Sequence, residues 1–173
     1  METPAGFPHL KYTQVERERR WLCEDMPAAA LASRDVFDIT DHYLPQSHLR
    51  LRSAAPRYGG SNFRRLTKKV ETSDPRQRLL TTIYLDETEY KIMRALGGLE
   101  LVKSRHRFAY GDVTVALDCF TGPLTGLMLA EIEFGDEAAM TTFPQPAFAT
   151  REVTNDPVYS GYALAVRAAD FSD

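Results

Sequence analysis

The chain has 173 residues, 43% of them hydrophobic, and a formal net charge of −3. This suits one domain with a buried core and excludes a disordered chain. The weak acidity argues against a general nucleic-acid or membrane-surface binder, so any basic site has to be local and balanced by acids elsewhere.

Alternation between turn residues predicts eight strands, near 11–22, 36–43, 47–53, 63–70, 77–85, 101–108, 111–120 and 126–134. The first contains Val15-Glu16-Arg17-Glu18-Arg19-Arg20-Trp21-Leu22, in which Glu16 to Arg20 are all charged. Side chains alternate faces along a strand, so Glu16, Glu18 and Arg20 share one. Such a face suits a polar lumen around a charged ligand. It equally suits a solvated edge strand that uses charge against aggregation. In Leu49-Arg50-Leu51-Arg52 the arginines share a face and the leucines the other. A loop over 53–62 follows. Arg65, Thr67 and Lys69 line one face of the next strand, and Arg78 opens the one after it. Asp86-Glu87-Thr88-Glu89 has the form of a capping box. Its helix is expected to bury Ile92, Met93 and Leu96 and to stop at Gly97-Gly98. Lys103-Ser104-Arg105 repeats the basic alternation. Turns at Tyr110-Gly111-Asp112 and Gly122 to Gly126 flank an apolar strand that carries Asp118. Glu131-Ile132-Glu133 repeats the alternation with acids. A short helix is expected near Asp136. A last one follows Asn155-Asp156, with Pro157 at its first position and Val158, Tyr162 and Val166 on its apolar face.

Eight strands and few helices indicate a mainly β (α+β) chain forming an eight-stranded antiparallel β-barrel, because closure removes sheet edges. The expected domain is single, spanning 1–173 with its core at about 12–166. A half-exposed sheet accounts for any one charged pair, yet a solvated surface usually interleaves both signs. Here basic pairs and acidic pairs fall on different strands. Turned into one barrel, they set an acid cluster against a basic one, as a polyphosphate bound with a divalent cation requires. Arginine and lysine neutralise phosphate oxygens, and carboxylates hold Mg²⁺ or Mn²⁺. His9, His42, His48 and His106 are scattered without ligand spacing and read as surface or satisfied histidines. Cys23 and Cys119 are too few for a disulfide framework and read as buried or half-buried thiols. No run approaches the ~18 apolar residues of a membrane-spanning helix, and the first ten residues lack an apolar signal core. A soluble, cytoplasmic protein is therefore expected.

These motifs, in this order, make the chain resemble the CYTH-domain family of triphosphate tunnel metalloenzymes, over about Tyr12 to Ala165. The family's opening E-x-E-x-K is matched by Glu16, Glu18 and Arg20, and its I-x-x-x-Y-L by Ile39 to Leu44. Its L-R-x-R is matched by Leu49, Arg50 and Arg52, and its T-x-K-x-E by Thr67, Lys69 and Glu71. A following arginine corresponds to Arg78, and K-x-R to Lys103 and Arg105. The long L-D-x-F stretch is matched almost fully by Leu117 to Phe134. The closing V-T-x-D-x-x-Y fits Val153, Thr154, Asp156 and Tyr159.

The resemblance implies a tunnel open to solvent that binds a linear triphosphate with one or two divalent cations. Members hydrolyse inorganic, nucleoside or thiamine triphosphate, and one branch cyclises ATP. Carried over, Arg50, Arg52, Lys69, Arg78, Lys103 and Arg105 would bind phosphate. Glu16, Glu18, Glu131 and Glu133 would hold Mg²⁺ or Mn²⁺, and Arg20 with Tyr43 would act in catalysis. The expected partner is a small-molecule triphosphate, with no nucleic acid and no membrane, for a monomer or homodimer. A non-catalytic triphosphate-binding module and a CYTH-type adenylyl cyclase are the alternatives.

Two departures bear on mechanism. Arg20 stands where the family has a lysine, and a guanidinium cannot take a proton as a general base. The E-x-E that many relatives carry after the Arg78 position is here Leu80 and Thr82, so one cation is the simpler expectation. Asp118 has two open readings, a metal-side acid or an anchor for a lumen arginine. Trp21 and Phe134 are expected to pack beneath helices outside the barrel.

Overall fold

The computed structural model describes residues 12–171, and His9 lies outside them. The elements in chain order are β1 (Gln14–Leu22), α1 (Ala28–Ala32), β2 (Asp35–Tyr43), β3 (Leu49–Pro56), β4 (Phe63–Glu71), β5 (Gln77–Leu85), α2 (Glu87–Arg94), β6 (Leu99–Tyr110), β7 (Val113–Phe120), β8 (Met128–Glu133), α3 (Glu137–Thr142), β9 (Arg151–Glu152) and α4 (Gly161–Asp170). The first eight strands pair antiparallel in the order β5-β4-β3-β2-β6-β7-β8-β1, and β1 also pairs with β5 to close the barrel. The short β9 adds to β1 beside Trp21 and Leu22.

Closure gives every strand an outer and an inner face. Outward-facing Trp21, Val115, Leu117, Ala130 and Ile132 form a core with Ala30 of α1, Met140 of α3 and Phe134. Trp21 and Ile132 are fully buried there, each worth about 1.5–3 kcal/mol of transfer free energy. Arg19, two residues before Trp21 on the same face, lies 4.9 Å over its ring and bonds to Glu152. The second core closes one end of the lumen, where inward-facing Leu101, Phe120 and Leu129 meet Leu164 and Ala165 of α4. The resemblance implied an open tunnel; in this chain α4 packs across that end.

The two outer helices differ from expectation in their buried faces. The capping box forms: Asp86 accepts from the Glu89 amide at 2.8 Å and Glu89 accepts from the Asp86 amide at 2.9 Å. Yet α2 buries no residue, and Ile92 and Leu96 are 64% and 65% exposed. The outer face of β4 and β5 mixes Arg64, Lys68 and Thr81 with Leu66 and Ile83, and Ile83 is left 52% exposed, as Ile92 and Leu96 are. The last helix begins later than expected. Pro157–Tyr159 make a 3-10 turn, and Ser160 caps α4 by accepting from the Ala163 amide at 3.2 Å. This start turns Leu164, Ala165 and Ala168 inward and leaves Val158 and Tyr162 exposed. The short α1 went unpredicted because a single turn carries no readable period.

Candidate active site

The barrel encloses a cavity of about 720 Å³. Its walls include Glu16, Glu18, Arg20, Tyr43, Arg50, Arg52, Arg65, Lys69, Arg78, Lys103, Arg105 and Glu131. Of the residues given a catalytic, phosphate-binding or metal role from the sequence, Glu133 alone does not line it. That residue is exposed at the end of β8, opposite Glu18 in register. Leu80 and Thr82 stand opposite Lys69 and Thr67, so the acid-free face of β5 does turn to the lumen.

Register fixes the heights. The ladders shear by two residues from each strand to the next around the closed barrel, and with that offset Glu18, Arg78, Lys69, Arg50, Asp41, Lys103, Asp118 and Glu131 fall at one level. Glu16, Arg52 and Arg105 lie one level further from α4. Arg20, Tyr43, Leu101, Phe120 and Leu129 lie one level nearer to it. The acids of β1 and β8 are neighbours, and the basic side chains of β3 and β4 face them across the lumen.

Ion pairs hold the cationic side chains in place. Arg52 grips Asp41 with two bonds of 2.6 Å, and Arg50 Nε lies 3.8 Å from the same carboxylate. Burial opposes charge on Asp41, but these guanidinium groups hold its carboxyl well below the usual range. Asp118 accepts from Lys103 at 2.5 Å and from Arg105 at 2.6 and 2.7 Å. Of its two readings, the geometry is that of the anchor. Arg105 also bonds to Glu131. Burial works against charge on Glu131 too, but Arg105 and Lys103 keep its carboxyl low. Lys69 Nζ is 2.6 Å from Glu16 Oε2, and Arg78 donates to Glu18 at 2.9 Å. Asp41 was missed in the sequence. Its signal was parity with Ile39 and Tyr43 on a strand beside two arginines.

Arg20 is buried, with Nε 3.6 Å from Glu18 and Nη1 donating to the Tyr159 carbonyl at 2.7 Å. Burial and the nearby Asp41 push the Tyr43 phenol up to about 12, against the opposing pull of Arg50. Tyr43 packs against the start of α4, where a Cβ on Gly161 would fall 1.9 Å from its hydroxyl. Only glycine at 161 admits that approach. His42 Nε2 pairs with Glu100 at 3.0 Å, while its buried Nδ1 has no hydrogen-bond partner among the described residues, and His106 Nδ1 faces the Ala30 carbonyl at 3.2 Å. Both cysteines are free thiols.

Whether these acids suit a divalent cation can be judged from the donors. Glu16 Oε2 is buried, and its near neighbour is the Lys69 ammonium at 2.6 Å. Partial burial, Glu16 and Glu18 together raise the Glu133 carboxyl pKa. These hard oxygens fit Mg²⁺ or Mn²⁺ in kind. They are not gathered as a ligand set, and among the described residues no group of three or more His, Cys, Asp or Glu is. Three of them are paired with lumen cations instead: Glu16 with Lys69, Glu18 with Arg78 and Glu131 with Arg105.

A closed antiparallel barrel with such a lumen defines a polyanion-binding tunnel protein. The chain is 34% identical to an inorganic triphosphatase of Nitrosomonas europaea over 158 residues, covering 88% of this chain and 97% of that one. It is 44% identical to an inorganic triphosphatase of Acetivibrio thermocellus over 57 residues, 33% of this chain and 35% of the relative. The crystal structure of an inorganic triphosphatase superposes with a TM-score of 0.59 at 28% identity, covering 87% of this chain and 94% of that chain. No family model matches the sequence. The chain belongs to the CYTH-type triphosphate tunnel family, together with these inorganic triphosphatases.

Proposed function

We propose that this protein hydrolyses a terminal phosphoanhydride of a triphosphate held in the lumen, with inorganic triphosphate as the first substrate. One observation carries the reading. The Nε atoms of Arg20 and Arg50 are buried in the cavity wall without a hydrogen-bond partner among the described residues. Buried donors of this kind are costly to leave unmade, and phosphate oxygens would complete them. The names of the relatives point to the same substrate.

The chain's own residues would supply positioning and charge stabilisation, the main demands of phosphoryl transfer. Asp41 orients Arg50 and Arg52, and Asp118 orients Lys103 and Arg105, so these donors need not reorganise during reaction. Arg20 would clamp an oxygen without exchanging a proton. Tyr43, its phenol held up to about 12, would keep its proton and donate. Glu16, Glu18, Glu131 and Glu133 are the candidates to hold Mg²⁺ or Mn²⁺. When bound, that cation would neutralise phosphate charge and lower the pKa of a bound water. Lys69, Arg78 and Arg105 occupy three of these carboxylates as the chain stands. Transfer of those cations to phosphate oxygens would free the acids, which couples anion and cation binding. The reading keeps a cytoplasmic monomer or homodimer, without nucleic-acid or membrane partners, in line with the weak net charge.

The test is orthophosphate release from inorganic triphosphate with Mg²⁺ or Mn²⁺ between pH 7 and 10. A Glu131→Ala, Glu133→Ala protein is the control, and release no faster than its rate sinks the hydrolase reading. Tight calorimetric binding without turnover would mark a binding module, and cyclic AMP from ATP a cyclase.

A further inference from the structure

Arg65 stands on β4 between Arg52 of β3 and Tyr84 of β5, at the end of the lumen away from α4. It lines the cavity with the cations already described. Each of those has a carboxylate oxygen within 3.8 Å. Among the described residues Arg65 has none, and its Nε is buried without a hydrogen-bond partner. The adjoining face of β5 carries Leu80, Thr82 and Tyr84, so no acid can reach it from there. Its guanidinium lies 5.7 Å from the centroid of Phe63, which is in edge contact with Phe37 and Tyr84. Burial and the crowding of Arg52 and Arg50 pull its pKa down to about 10. A half-buried cation crowded by two others, with no carboxylate of the described residues in ion-pair reach, is unfavourable until an anion arrives.

We propose that Arg65 is the anion-binding residue at the outer end of the lumen, receives a free terminal phosphoryl group, and so selects linear inorganic triphosphate over triphosphates esterified to an organic group. This rests on the reading that the lumen binds triphosphate. A free terminal phosphoryl group carries more charge and more acceptor oxygens than an esterified one. An organic substituent at this height would leave the half-buried guanidinium, with its buried Nε, unpaired, and specificity comes from that mismatch.

The test is calorimetric binding, in EDTA so that no turnover occurs, of inorganic triphosphate and of adenosine triphosphate. The intact chain is compared with Arg65→Leu and Arg65→Lys. The intact chain should prefer inorganic triphosphate by about tenfold, the scale of one charged hydrogen-bonded contact. Arg65→Leu should lose most of that preference and Arg65→Lys should regain part of it. Arg65→Leu should melt no lower than the parent, because an uncompensated charge is removed. The proposal is overturned if the ratio is unchanged in Arg65→Leu. It is also overturned if adenosine triphosphate loses more affinity than inorganic triphosphate, which would give the residue to an organic group on the aromatic rim. Orthophosphate release is measured separately. Selective binding without release supports Arg65 and sinks hydrolysis, and no binding of either anion sinks both.

Discussion

Asp41 and Asp118 decide how the lumen works although neither lines the cavity. Asp41 is fully buried and its only described ionic partners are Arg50 and Arg52. Removing its charge leaves two guanidinium groups uncompensated beside Arg65. Asp41→Asn should therefore lower stability by about 3–5 kcal/mol, as breaking a buried ion pair does. Denaturant unfolding checks this, and a loss below about 1 kcal/mol contradicts it. Arg20 raises a different question, because its charge is permanent. Arg20→Lys restores a group able to lose a proton. Its rate of orthophosphate release should rise more steeply than the parent's between pH 7 and 10. Parallel pH–rate profiles would show that the residue acts as a clamp alone.

At the scale of elements, α4 is bound to the site and α2 is not. Leu164 is buried against inward-facing residues of the barrel end, so Leu164→Ala should cost about 2–5 kcal/mol through the cavity it leaves. Gly161→Ala acts on the site itself. The added Cβ would meet the Tyr43 hydroxyl at 1.9 Å, so the phenol or the helix must move. Triphosphate binding by calorimetry should weaken severalfold, and unchanged affinity would remove Tyr43 from the site. Asp86→Ala in α2 should cost about 1 kcal/mol by loss of the cap and leave binding untouched. The strands were legible because their period of two is local, and β5 begins and ends where its alternation predicts. The buried faces of α2 and α4 were not, since an amphipathic pattern does not say whether an apolar surface lies opposite.

For the whole molecule, the lumen sets the response to acid. Asp41 and Glu131 have carboxyl pKa values held below the usual range by neighbouring cations, against the opposing effect of burial. A lowered folded pKa adds stability above the unfolded value of about 4, and that stability is lost as pH falls through the folded value. Glu133 is shifted the other way, but it is exposed and weighs less. The melting temperature should stay level from pH 7 to about 5 and fall below about 4. A melting temperature unchanged at pH 3 would deny these pairs their part in the fold. The sequence by itself determined the strands, the parity that groups Glu16, Glu18 and Arg20 with the other lumen charges, and the acid-free face of β5. Side-chain alternation follows from the backbone of each strand alone, so no distant residue was needed. Tertiary structure decided which charge meets which: Asp41 with Arg52, Asp118 with Lys103 and Arg105, and Arg65 in ion-pair reach of none of the described acids. It also set Glu133 at the mouth rather than in the wall and laid α4 across one end. Those outcomes depend on register and closure between strands far apart in the chain, and no local pattern encodes such distances.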